Sequence, residues 1–144
     1  MKNAKRNSVH DEKASGLVLP PEIETVSFTF GRDMNKIHAL VLPIKQLDIS
    51  ELIWHLYLPF FWLDKDHPFS IRPIDVINDP IRYEYRFGRI VGVDTSYPID
   101  IMWWKGRWQI LDGLHRLCKQ VIEGKAFVNV RKVPPEWIPR ITPD

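Results

Sequence analysis

The sequence predicts an α+β fold, a small mixed sheet carrying short helices, on three observations. Residues 99–133 follow the order strand, hairpin, strand, helix, strand. Leu114, Leu117, Cys118, Val121 and Ile122 recur at i, i+3, i+4, i+7 and i+8, a helical stripe that needs a sheet face to cover it. The chain has 144 residues of which 44% are hydrophobic, enough for one core and too few for two.

Residues 1–16 are polar, charged and without periodicity, and are expected to form a flexible tail; residues 17–144 are expected to form a single domain. Pro20-Pro21 makes a rigid start. Val26, Phe28 and Phe30 alternate and predict a strand over Thr25–Phe30. Gly31-Arg32-Asp33 suggests a turn, and Ile37–Leu42 a second strand. Pro43 would open a short helix carried by Gln46–Trp54, with Leu47, Leu52 and Ile53 inward and Asp48 or Ser50 capping a turn. The aromatic run Trp54–Trp62 is broken at Pro59, and residues 64–78 are mostly loop, with a helical turn beginning near Pro73. Tyr83–Gly92 fits either a short helix or a strand.

The last third carries stronger signals. Ile99–Trp104 predicts a strand, Lys105-Gly106-Arg107 a hairpin turn and Trp108–Leu111 the return strand. Asp112 is a natural N-cap for a helix running to about Glu123, which Gly124 stops. Ala126–Val133 predicts the final strand.

Composition excludes several classes. A formal net charge of +2 is too mild to argue for nucleic acid by itself, and no long basic run appears, so nucleic acid stays a possible partner and not an indicated one. One cysteine, Cys118, leaves no internal disulfide, and its place on the apolar helix face suits a core residue better than a nucleophile. No apolar run is long enough to span a bilayer, and no leader is visible after the basic start, so no membrane partner and a cytoplasmic location are expected. No pair of Cys or His has zinc-ligand spacing, so no metal site is predicted from spacing. Neither a Gly-Lys-Ser/Thr phosphate loop nor a dinucleotide glycine fingerprint occurs.

The candidate site is Asp112-Gly113-Leu114-His115-Arg116, where a strand runs into a helix. The first amides of a helix lack partners one turn back, and the macrodipole adds partial positive charge there. Gly113 offers no side chain to block an anion. His115, Arg116 and Lys119 would donate to phosphate oxygens, so Gly113, His115, Arg116 and Lys119 form a phosphate-binding set. Asp112, His115 and Asp94 are candidate catalytic groups, with Asp112 or Asp94 positioning a cation or activating an acceptor. The alternatives stay open: Asp112 as a plain cap, Gly113 as a packing residue, His115 and Arg116 as solvated side chains, and Asp94 as a turn cap. His55, His67 and Asp66 are better read as core or loop residues, and Trp103 and Trp104 as hairpin packing.

Tyr97-Pro98-Ile99-Asp100-Ile101, the hairpin, and Ile110-Leu111-Asp112-Gly113-Leu114-His115-Arg116-Leu117 resemble the ParB/sulfiredoxin-like superfamily, in which an Asp-Gly-x-His-Arg string opens the helix and a valine-rich strand follows, here Phe127–Val133. Val41–Leu47 resembles the opening strand and turn of that superfamily. The resemblance is clear over residues 97–133. It implies that Gly113, His115 and Arg116 bind nucleotide phosphates. The superfamily's activities diverge: phosphoryl transfer from ATP or ADP, CTP-driven DNA clamping and nuclease action. Leu114 stands where sulfiredoxin carries its reactive cysteine, and the string is closer to that of the free serine kinases. The reading is therefore a nucleotide-binding domain using ATP or another nucleotide with Mg²⁺ and transferring a phosphoryl group. The alternatives are a nucleotide- or nucleic-acid-binding module without catalysis, a nuclease, or a partner-binding domain using Trp54–Trp62 as its contact surface.

Overall fold

A computed structural model describes residues 18–144. The expected tail, residues 1–16, lies outside the described residues. The fold is α+β, as predicted. Four strands, β1 (Lys45–Asp48), β2 (Ile99–Trp104), β3 (Arg107–Asp112) and β4 (Phe127–Lys132), form one sheet in the order β1-β4-β2-β3. β1 with β4 and β2 with β3 are antiparallel, whereas β2 and β4 run parallel, so the sheet is mixed.

The β2–β3 hairpin forms where expected. Lys105 and Gly106 take φ 52° and 86°, the positive pair that matches a two-residue turn to strand twist. Helix α5 (Leu114–Ile122) then crosses the sheet to deliver β4 beside β2, and Gly124 at φ 74° ends it. The stripe Leu114, Leu117 and Cys118 is buried. Helices α3 (Pro73–Asn78) and α4 (Glu84–Val91) pack beside α5. The ambiguous segment 83–92 is thus helical, and Pro73 occupies the first turn of α3 as expected.

The first third differs from the sequence expectation. Residues 21–26 form helix α1 (Pro21–Val26), which takes in the first two residues of the strand expected over Thr25–Phe30. Pro21 sits in its first turn, where a missing N–H costs nothing, and Thr25 and Ser27 hydroxyls donate back to the carbonyls of Pro21 and Ile23. Val26 and Phe28 do point inward, but residues 27–30 pair with no strand. Residues 34–38 form helix α2 (Met34–His38), not a strand, because the Asp33 carboxylate accepts the Lys36 amide at 3.1 Å and Met34 and Ile37 fall one turn apart on the buried side. Instead of a helix over 46–54 there is β1, followed by two 3₁₀ segments, Ile49–Glu51 and Ile53–Tyr57. Asp48 does cap the turn between them, accepting the Ser50 amide at 2.9 Å.

Both sheet faces are covered. On one, Ile99, Ile101, Ile110, Val128 and Val130 meet α1, α3, α4 and α5. On the other, Met102, Leu111 and Val133 meet α2 and the C-terminal helix α6 (Ile138–Ile141). Central strand β2 is buried on both sides over its first four residues. Within the first core His55 is buried. Its Nδ1–H donates to the Leu52 carbonyl at 2.7 Å and its Nε2 accepts the Ile110 amide at 3.0 Å, which fixes a neutral imidazole; burial holds its pKa down to about 3.

Candidate functional site

Asp100 and Asp112 are cross-strand partners where β2 begins and β3 ends. Like charges opposed across a ladder are destabilising, and the surrounding residues supply the compensation. Arg131 of β4 donates through Nε to Asp100 at 2.6 Å, while its two terminal nitrogens donate to the carbonyls of Leu40 and Ile37. Asp100 is 3% exposed, and burial raises its pKa despite the Arg131 hydrogen bond. Asp112 Oδ2 accepts from His38 Nε2 at 2.7 Å and from Arg116 at 3.3 Å. His38 closes α2 and its side chain is 38% exposed, so this corner is reached from solvent at the imidazole. One ligand atom each from His38, Asp100 and Asp112 lies within 4.8 Å of the others. A nitrogen and two carboxylate oxygens at that spacing suit a divalent cation after a small closure.

The sequence-predicted residues do not all meet here. Asp112 is not the N-cap: Gly113 holds that position at φ 119° and no side chain caps the helix. The Asp112 carboxylate turns instead to His38 and Arg116. Gly113 is not left open for an anion. A Cβ there would lie 3.0 Å from the Arg116 guanidinium and 3.2 Å from the Ile99 side chain, so glycine is required by packing and by its positive φ. Arg116 is held by the Pro98 carbonyl at 2.7 Å and by Asp112, four residues earlier at the end of β3. It is therefore a fixed cation at the corner, not a solvated arm.

His115 leaves the corner. Its ring stacks on Phe61 with centroids 5.0 Å apart, and its pKa falls to about 3, first through burial and then through Arg89 and Arg86 of α4. A neutral imidazole in that position does not serve as a cationic phosphate ligand beside Arg116. Lys119, one turn on, donates to the Val93 carbonyl at 3.0 Å. Asp94 is exposed and accepts the Ser96 amide at 2.9 Å, the turn-capping alternative. The charges of Lys119 and Arg116 add to that hydrogen bond in holding its pKa down. Cys118 is buried and its thiol is pushed up to about 12, which keeps it unreactive.

Sequence reasoning missed His38, Asp100 and Arg131. Asp100 had a signal: a lone charge inside the apolar run Ile99-Asp100-Ile101-Met102 is a residue type almost never buried unpaired. His38 and Arg131 had none, since only the tertiary packing of α2 and the β2–β4 pairing bring them in. Comparison with family models, with curated proteins and with solved structures found no match. No helix among the described residues is long and apolar enough to cross a membrane.

Proposed function

We propose that this chain binds a nucleotide phosphate together with a divalent cation where β3 meets α5. The observation that carries this reading is the pair of opposed carboxylates, Asp100 and Asp112, with His38 completing a set of ligand atoms within 4.8 Å directly before the helix start. Two carboxylates against the guanidinium groups of Arg116 and Arg131 already balance in charge. A cation entering the corner must take over the oxygen that His38 holds and bring its own counter-charge, and a phosphate supplies that charge. The amides opening α5 and the macrodipole favour an anion on the same side. Mg²⁺, when bound, would neutralise phosphate oxygens. The chain's own groups would orient them: Arg116, fixed by Pro98, as donor, and Asp112 as the acid linking cation and helix. A nucleotide ligand also fits the cytoplasmic location expected from the sequence.

Phosphoryl transfer is the catalytic extension of this reading. The terminal P–O bond of the nucleotide breaks and the shortened nucleotide leaves with that bond's electron pair, a bond from an acceptor hydroxyl oxygen to the phosphorus forms, and the hydroxyl proton is released to water. A second reading is favoured by one specific observation. Arg131 uses three nitrogens on Asp100, Leu40 and Ile37, which is what a purely architectural tie between β4, β2 and α2 requires.

Thermal unfolding with ATP, ADP, CTP and GTP, with and without Mg²⁺ or Mn²⁺, separates the two. A ligand at 100 times its Kd adds about 2.7 kcal/mol, roughly 6–10 °C for a domain of this size. The expected result is a cation-dependent shift for at least one nucleotide that Asp112→Asn abolishes. No shift for any nucleotide under any cation condition overturns the nucleotide reading and leaves the architectural tie. Incubation with labelled ATP and hydroxyl acceptors then tests for transfer.

A further inference from the structure

Where α4 and α5 meet the Phe61–Trp62 segment, buried polar atoms have nothing to bond. Among the described residues, Trp62 Nε1, Arg86 Nε and His115 Nε2 are buried without a hydrogen-bond partner. Arg86 and His115 both pack against Phe61, and Trp62, whose ring packs on Phe69, follows Phe61 in the chain. The Phe61 ring lies 5.0 Å from the His115 ring centroid, and the Arg86 guanidinium lies 5.0 Å from the Phe61 centroid. Arg86 also donates to the Trp62 carbonyl at 2.7 Å. Buried polar groups in folded proteins are almost always bonded, so a cluster of three that are not points to an ion, a water or a ligand.

The atoms define the class of partner. An indole N–H and a guanidinium N–H donate and never accept, so whatever satisfies both is an acceptor. Charge narrows the choice. Among the described residues Arg86 has no carboxylate partner, and Arg89, exposed on the same helix, has no ion pair. Burial and then Arg89 hold the Arg86 guanidinium below its usual range, and both arginines depress His115. A water would satisfy the hydrogen bonds and leave the like charges of Arg86 and Arg89 unbalanced. A dianion satisfies both the bonds and the charge.

We propose that a phosphate group binds in the seam between α4 and α5, held by Arg86, Arg89, the Trp62 indole and His115. The seam needs no cation and shares α5, but no side chain, with the His38–Asp100–Asp112 corner.

The test follows the indole and imidazole ¹H–¹⁵N resonances during titration with inorganic phosphate and, separately, with ATP. Divalent cations are absent and ionic strength is matched with chloride. Trp62→Phe assigns the indole peak. The expected result is a saturable shift of the Trp62 and His115 resonances that chloride does not produce. Arg89→Gln, an exposed position that leaves the core intact, should weaken the affinity about tenfold. A shift with both ligands means that free phosphate suffices; a shift with ATP alone means that a phosphate ester is the source; either supports the seam. Absence of any shift at tens of millimolar phosphate overturns it, as does a shift that Arg89→Gln leaves unchanged. Asp112→Asn should retain seam binding, so its loss of cation-dependent nucleotide binding alone separates the two sites. Loss of the seam shifts in Asp112→Asn overturns the seam and places phosphate at the corner.

Discussion

Gly113→Ala tests whether this glycine serves packing or ligand access. The residue sits at φ 119°, where an L side chain is strained, and the left-handed side of φ costs roughly 1–2 kcal/mol for alanine. The new Cβ would also stand 3.0 Å from Arg116, 3.2 Å from Ile99 Cγ2 and 3.3 Å from Ile99 Cα. Arg116 can give way at its flexible end, but Ile99 Cα belongs to the central strand and cannot move without disturbing β2. Overpacking of this kind costs about 1–3 kcal/mol, while alanine recovers roughly 0.4–1 kcal/mol by restricting the unfolded chain. The net expectation is a loss of about 2–4 kcal/mol, or roughly 5–15 °C in Tm. Urea unfolding at pH 7 without any ligand, followed by tryptophan fluorescence, measures it. A loss below about 0.5 kcal/mol would refute the packing argument and restore Gly113 as a position kept open for an anion.

The remaining expectations address the charges and the buried titratable groups. Arg131→Met leaves Asp100 buried without its partner and should cost about 3–5 kcal/mol, whereas Arg131→Met with Asp100→Leu should recover most of that; equal losses in the single and double variants, by denaturant unfolding, would sink this account of the pair. His55 and His115 are held neutral by burial, with pKa values near 3 against 6.5 for the free group. Their contribution to stability is therefore complete above pH 6.5 and is lost as pH falls toward 3, because the unfolded chain takes up the protons first. For His55 that is about 2 kcal/mol by pH 5, and NMR should show neither ring titrating between pH 8 and 5; a midpoint near 6.5 contradicts the burial. Cys118, with its thiol pushed up to about 12, should resist a thiol reagent at pH 8 until the protein is unfolded, and rapid labelling of the native protein would show the helix face to be open.

The parts of the fold legible in the sequence are those whose determinants are local. The hairpin turn, the period-2 runs beside it, the helical stripe of α5 and the stop at Gly124 all lie within a few residues of what they specify. β1 is the opposite kind of element. Its burial pattern has no exposed–buried alternation, and its partner is β4, with Lys45 opposite Val130. No periodicity of its own residues identifies it as a strand; a resemblance over Val41–Leu47 was the one local pointer. The Val26, Phe28 and Phe30 alternation was a true statement about which side chains turn inward and a false one about pairing, since a chain leaving a helix in extended form has the same period. The capping role of Asp33 was masked by its place beside Gly31, which made the segment look like a turn alone.

The site follows the same division, and α5 explains why. Neighbouring residues on a helix point about 100° apart, so the string Asp112–Arg116 cannot converge on one ligand as a linear motif suggests. Asp112 and Arg116, at i and i+4, meet at 3.3 Å on the flank toward α2. His115 and Lys119, also four apart, lie on the flank toward α4, against Phe61 and Val93. Leu114, Leu117 and Cys118 lie between them in the core. One five-residue segment therefore feeds two chemically different places: a corner of opposed carboxylates suited to a cation, and a seam of unbalanced donors suited to an anion. A nucleotide large enough to touch both would have to pass around the first turn of α5, where Gly113 packs directly on Ile99 and Arg116 and leaves no side-chain gap. Independent ligands for the two flanks are consequently the simpler arrangement. Binding at one should then leave affinity at the other unchanged except through long-range repulsion between Arg116 of the corner and Arg86 of the seam.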